Sequence, residues 1–316
     1  MRIFLAGASG VIGSRMVPML VDSGHQVLGT TRSPGKAERL RSAGAEPVVV
    51  DALDADALGA AVREAEPEVV INQLTDLPPR FNPRKPDYGR TPQLRREGTA
   101  TLAAAGAEAG ARRLISQSIA FIYEPSGGPV KDEDAPLADM SGTSFAEVTE
   151  ATIELERVTT GTPALDGVVL RYGWFYGPGT YYGVGGSTAE DVRRRRFPVV
   201  GDGGGVFSFI HVDDAAAATV AALDHGSPGV YNVTDDEPAP LRDWLPVYAE
   251  TLGAKPPRRV PTWLARLVAG KVATGQLTGL RGASNERAKR ELGWAPRHPS
   301  WRQGFAESLA TETAAR

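Results

Sequence analysis

The stretch Gly7-Ala8-Ser9-Gly10-Val11-Ile12-Gly13 decides how the rest of this 316-residue chain is read. It follows Arg2-Ile3-Phe4-Leu5-Ala6, a short apolar run with the character of a buried strand. It opens the segment 11–22, where Val11, Ile12, Met16, Met19 and Leu20 fall on one helical face. Glycines let the backbone bend sharply and approach a phosphate, and a helix N-terminus offers unpaired N–H groups and partial positive charge. Strand, glycine turn and helix in this order therefore predict a pyrophosphate cradle made by Gly7, Ser9, Gly10, Val11, Ile12 and Gly13.

The rhythm continues outward. Segments 26–30, 46–50, 68–72, 112–116 and 167–172 read as further strands alternating with helices. That alternation predicts an α/β fold with a Rossmann-type, doubly wound parallel sheet, which binds ligands at the carboxyl ends of its strands. The second strand ends at Thr31-Arg32-Ser33, about 20 residues past the turn, where an adenosine ribose lies. An acid there would accept from the ribose hydroxyls and repel a 2′-phosphate. This chain has Arg32, with Lys36 one helical turn on, and a guanidinium can clamp a phosphate through two hydrogen bonds. The expected cofactor is NADP(H). Asp51 and Ala52 end the third strand, the acid within reach of an adenine amino group. Gln73, Leu74 and Thr75 end the fourth, and Gln117 lies on the cofactor side of the fifth.

Composition narrows the classes. Hydrophobic residues make up 41% and charged residues 23%, as in ordinary soluble proteins. A net charge of −3 gives no argument for nucleic acid or an anionic membrane as partner. No cysteine is present, which removes disulfides and thiolate chemistry and fits a cytoplasmic protein. No secretory leader is expected, because the first residues already read as a strand. No His, Asp or Glu spacing suggests a metal.

Beyond the strands, residues 76–92 carry five prolines and read as a flap over the substrate side. Asp132-Glu133-Asp134 reads as a solvated acidic face, and the four arginines at 193–196 as a solvated helix face. Segment 207–212 reads as one strand, with Asp213 capping a helix over 214–223, and His211 as a structural histidine. Residues 173–205 hold ten glycines and little periodicity, so a loop-rich segment is expected. The predicted organisation is a dinucleotide-binding domain over 1–172, with 206–235 returning to it. A smaller, mainly helical substrate lobe takes 173–205 and 236–316.

These segments resemble the extended short-chain dehydrogenase/reductase family, the NAD(P)-dependent epimerases and dehydratases. The glycine turn looks like that family's cofactor turn, and Arg96-Glu97-Gly98-Thr99 like the opening of its fourth helix. Leu170-Arg171-Tyr172-Gly173-Trp174-Phe175-Tyr176-Gly177-Pro178-Gly179 is similar to the stretch that wraps the nicotinamide half of the cofactor. The resemblance thereby adds Tyr172, Gly173, Trp174 and Phe175 to the expected cofactor contacts. Phe209-Ile210-His211-Val212-Asp213-Asp214-Ala215-Ala216, Gly229-Val230-Tyr231-Asn232-Val233 and Lys289-Arg290-Glu291-Leu292-Gly293-Trp294-Ala295-Pro296 match later signatures in order. Relatives often pair through the long helices flanking 124–143, which implies a homodimer.

The family's chemistry uses a Ser or Thr and a Tyr-x-x-x-Lys pair, in which the Lys lowers the Tyr pKa for proton transfer. Counted from Tyr123, those positions fall on Ile119, Ser144 and Val148, so the pair is missing. Substitutes are expected in Tyr123 or Tyr176 as proton donor, with Ser118 orienting. Three functions are consistent with this pattern. The first is an NADP(H)-dependent oxidoreductase acting on a small carbonyl, alcohol or activated alkene. The second is an epimerase, dehydratase or cyclase that uses the cofactor transiently. The third is a non-catalytic NADP(H) sensor. Arg95, where relatives often carry Asn, is a candidate substrate contact.

Overall fold

In the computed structural model, residues 1–80 and 87–314 are described; residues 81–86, inside the expected flap, lie outside the described residues. Seven strands form the central sheet: β1 (Arg2–Ala6), β2 (Gln26–Thr31), β3 (Glu46–Val49), β4 (Val69–Asn72), β5 (Arg113–Ile119), β6 (Asp166–Tyr172) and β7 (Gly229–Val233). Their spatial order is β7-β6-β5-β4-β1-β2-β3, with every neighbouring pair parallel. Strand order reverses between β1 and β4, which makes their carboxyl ends the switch point where such sheets bind ligands.

Alternation along β1 shows why the sheet needs cover on both sides. Ile3 and Leu5 pack against α1 (Gly13–Asp22), whereas Phe4 and Ala6 face the opposite core. Helices α2 (Pro34–Ser42) and α3 (Ala55–Ala65) follow β2 and β3. Helix α4 is built in three pieces: Thr91–Gln93, a π-helical turn over Leu94–Gly98, and Thr99–Glu108. Helix α5 (Ala146–Gly161) packs on β5 and β6, and α6 (Val212–Ala221) packs on α1. The fully buried Ile71, Leu114 and Leu170 each contribute roughly 1.5–3 kcal/mol through removal from water.

A third core gathers Tyr176, Tyr182, Phe209, Trp244, Tyr248, Trp301 and Phe305. Its aromatic rings come from the stretch after β6, from the helix Leu241–Thr251 and from the helix Trp301–Ala314. Among the described residues, no helix is long and apolar enough to cross a membrane.

Four local expectations change. The 173–205 segment contains a helix, Ser187–Arg193. The 207–212 strand divides into Val206–Phe207 and Phe209–His211, and the second piece pairs in parallel with Trp174–Tyr176. The following helix begins at Val212, because the His211 ring accepts the Asp213 amide at 3.2 Å and caps it. Glu133 is not a solvated acid: it is 8% exposed and accepts the Asn232 amide at 2.7 Å. The pattern of three acids shows charge, but only packing shows which one turns inward.

Candidate active site

At the switch point, the turn between β1 and α1 is as tight as its glycines allow. Gly7 has φ +88°, and a Cβ there would lie 2.6 Å from the Gln73 carbonyl oxygen. A Cβ on Gly13 would lie 2.3 Å from the Gly7 oxygen, so the first turn of α1 rests directly on the loop. The Thr30 hydroxyl accepts the Gly7 amide, and Ser9 donates to the Thr31 hydroxyl, tying the turn to the end of β2. Among the described residues, the Val11 and Ile12 amides have no backbone acceptor. Free amides at a helix start, with Gly10 and Val11 exposed beside them, fit a pyrophosphate.

At the end of β2, the exposed Arg32 guanidinium holds the Asp76 carboxylate through two hydrogen bonds, 2.8 and 3.2 Å. Lys36 is exposed in the first turn of α2. Asp51 is likewise engaged, accepting from Arg90 at 2.8 and 2.9 Å. The Arg90 hydrogen bonds hold the Asp51 carboxyl below its ordinary range. Neither partner was legible in the sequence: each acid or base comes from a segment about forty residues away. Ala52 is buried, Leu74 packs beside Gly98 of the π turn, and Thr75 is exposed.

Several expected site residues turn inward. Gln73 donates to the Tyr172 hydroxyl at 3.1 Å, and that hydroxyl also meets Thr219 at 2.6 Å inside the core. Gln117 is buried on β5. Gly173 leaves the sheet with its amide on the Val233 carbonyl. Trp174 stacks on Phe121 at 4.1 Å and 16°, its indole nitrogen without a partner among the described residues, while Phe175 tilts against Tyr172. The stretch after β6 thus supplies an aromatic wall rather than hydroxyl donors.

Both expected proton donors are buried. Tyr123 donates to Asn232 at 2.6 Å and accepts from Arg171 at 2.9 Å, and burial pushes its pKa up. Tyr176 is fully buried among Phe209, His211 and Phe305; burial raises its pKa, and among the described residues its hydroxyl has no partner. A phenol with a raised pKa is a poor acid near neutrality. Ser118 donates to Glu156 at 2.6 Å. Glu156 also accepts Arg171 Nε and Nη2 at 2.8 and 2.6 Å, a buried ion pair 5% and 9% exposed.

Ser144 and Val148, where the spacing from Tyr123 puts the family's Tyr and Lys, stand at the start of α5. Val148 is buried, and its carbonyl accepts the Thr152 hydroxyl at 2.7 Å. Residues 78–80 meet the 173–205 segment: Tyr181 donates to the Pro78 carbonyl, and Arg80 pairs with Asp191. His211, Asp214 and His298 also cluster, but the Asp214 carboxylate is filled by the Arg297 and His298 amides and the His298 ring. That arrangement is a hydrogen-bonded junction. His211 is driven down to about 4 by burial and by His298, consistent with a neutral structural ring.

The sheet order and the glycine turn at its switch point define a dinucleotide-binding α/β protein. The chain belongs to the NAD dependent epimerase/dehydratase family, whose family model matches residues 3–234. A Streptomyces protein named 3-diazoavenalumate denitrifying reductase is 48% identical over 306 residues, covering 96% of this chain and 99% of that one. The 4-hydroxy-2-methyl-3-oxo-4-farnesyl-3,4-dihydroquinoline-1-oxide ketoreductase of Stigmatella aurantiaca is 26% identical over 324 residues, covering 94% and 92%. The Thermus thermophilus UDP-glucose 4-epimerase, solved with NAD, superposes with TM-score 0.73 at 23% identity over the whole of both chains. Reductase-named relatives and the family together support a nicotinamide-dependent enzyme.

Proposed function

We propose that the chain is an NADPH-dependent reductase that replaces the diazo group of an aryl carboxylate with hydrogen. The observation that carries this reading is the 48% identity, end to end, with the denitrifying reductase. The missing Tyr-x-x-x-Lys pair supports it. Reduction of a ketone consumes a hydride and a proton, so it needs an acid. Reduction of a diazonium ion consumes a hydride only: a C–H bond replaces the C–N bond, and N2 leaves. The balance is arenediazonium plus NADPH to arene, N2 and NADP+. Alkyl diazonium ions lose N2 unaided, so a substrate stable enough to await an enzyme carries the group on an aromatic ring.

Bound NADPH would supply the hydride. The chain's own part is to hold the pyrophosphate on the free amides at 11–12, and the 2′-phosphate on Arg32 and Lys36. The stacked Phe121 and Trp174 offer a flat wall for an aromatic ring. No hydroxyl of Tyr123, Tyr176 or Ser118 is called on, which agrees with their internal partners and burial.

The test is anaerobic incubation of the full-length protein with NADPH and a stable arenediazonium salt bearing a carboxylate. Absorbance of the reduced cofactor and evolved N2 are followed together, with a ketone and enone panel alongside. Equal loss of NADPH and gain of N2 supports the proposal. Consumption with ketones only would move the function to carbonyl reduction. Cofactor binding with no turnover of anything would leave a sensor.

A further inference from the structure

Arg95 is a buried cation that the fold does not neutralise. It lies in the π-helical turn Leu94–Gly98 of α4 and is 5% exposed. Its Nη1 donates to Thr152 Oγ1 at 2.5 Å. Among the described residues it makes no ion pair, although every other buried arginine does: Arg171 with Glu156, and Arg113 with Asp166 at 3.8 Å. Glu156 attracts Arg95 electrostatically, but its oxygens are already taken by Ser118 and by two nitrogens of Arg171. Burial drives the Arg95 pKa down to about 10, the sign of a charge held without adequate compensation.

Its surroundings place it at the reactive corner. Phe145, Val148 and Thr152 follow one another along one side of α5, at spacings of three and four. Arg95 meets Thr152, and Tyr88 packs edge-on against Phe145, with ring centroids 6.4 Å apart. Tyr88 also lies within electrostatic reach of Arg95. Phe145 adjoins Ser144, and Val148 shares a helical turn with Thr152. The guanidinium therefore meets the helical turn that carries Val148, and the Tyr88 ring packs on the residue next to Ser144, the two positions that spacing assigns to the family's Lys and Tyr.

We infer that Arg95, with Tyr88 beside it, is an anion-binding corner of the substrate site and takes the carboxylate of the aryl substrate. The inference rests on the proposed function for the aryl acid only; the need for an anion comes from the structure. A carboxylate would supply the charge that Glu156 cannot, and a guanidinium binds it through two parallel hydrogen bonds. The role is recognition and orientation, with no proton transfer and no bond made or broken at Arg95.

The experiment uses the full-length protein saturated with its nicotinamide cofactor. Binding of trans-cinnamate and of the neutral trans-cinnamamide is measured by calorimetry. The wild type should bind the acid about tenfold to a hundredfold more tightly than the amide, the range expected of a charge-assisted pair. Arg95→Met should erase that preference while leaving cofactor affinity unchanged, and Arg95→Lys should recover part of it. Equal binding of acid and amide by the wild type, or a preference that survives in Arg95→Met, would overturn the inference. Should Arg95→Met fail to fold, the rise in wild-type melting temperature with acid against amide decides the matter. A clear acid preference with no turnover of an arenediazonium salt would retire the denitrifying reaction and leave this corner standing. Turnover without the preference would do the reverse.

Discussion

At the glycine turn over residues 7–13, one added carbon has nowhere to go; at the start of α5, the positions that spacing assigns to the family's chemistry carry other residues and the packing is intact. A Cβ on Gly7 or Gly13 would sit within 2.6 Å of backbone. Ser144 and Val148, by contrast, stand where a Tyr and a Lys are expected, and Val148 is simply buried. The difference lies in what each region demands. A cofactor cradle works through backbone shape, which tolerates no extra volume. A catalytic pair works through side-chain chemistry, which becomes dispensable once the reaction needs no acid.

The largest effect should come from the fabric behind the altered corner. Glu156→Gln leaves the Arg171 cation buried beside a neutral amide, and should cost about 3–5 kcal/mol by denaturant unfolding. A cost below about 1 kcal/mol would mean that the ion pair is not what holds β5, β6 and α5 together. Next, Gly13→Ala overpacks the cradle. It should destabilise by about 1–3 kcal/mol and weaken NADPH binding by more than about tenfold in a fluorescence titration. Unchanged affinity would show that the turn does not touch the cofactor.

Arg32→Ala should weaken NADPH about tenfold and NADH much less, because only the former carries a 2′-phosphate. Asp76→Asn should strengthen NADPH binding slightly, since it releases Arg32 from its partner. Equal losses for both cofactors in Arg32→Ala would remove the NADP(H) assignment. A pH test sharpens the view of His211 as structural. Its folded pKa is depressed from 6.5 to about 4. Between those values the unfolded chain binds the proton and the folded chain does not. Stability therefore falls as pH drops from about 6.5 to about 4. His211→Asn should flatten that part of the melting-temperature profile. The smallest effect is expected at the vacated position itself: Ser144→Ala should change turnover of a diazonium salt less than about twofold, and a loss above about tenfold would return proton transfer to this corner.

The comparison also explains what could be read without a structure. β1, the glycine turn and α1 were legible because their signals are local: an apolar run, glycines at fixed spacing, one helical face. The end of β2 was legible for the same reason, though its Asp76 partner was not. The gaps lie where residues distant in the chain compete for one group. Tyr123 looked like a free phenol until Asn232 and Arg171, 109 and 48 residues away, were found on it. Ser118 looked available until Glu156 took it. Glu133 looked solvated until the β7 backbone was found to bond it.

By itself the sequence determined the parallel sheet, the glycine turn after its first strand and the family, because each is written in neighbouring residues. Only the tertiary structure decided which polar groups remain available to a ligand. It showed Tyr123 and Ser118 hydrogen-bonded inside, Tyr176 buried among aromatic rings, Phe121 and Trp174 stacked as a wall, and, among the described residues, Arg95 buried without an ion pair. Hydrogen bonds and charges are satisfied by whatever lies within a few ångströms, and that neighbourhood exists only once strands and helices far apart in the chain are brought together.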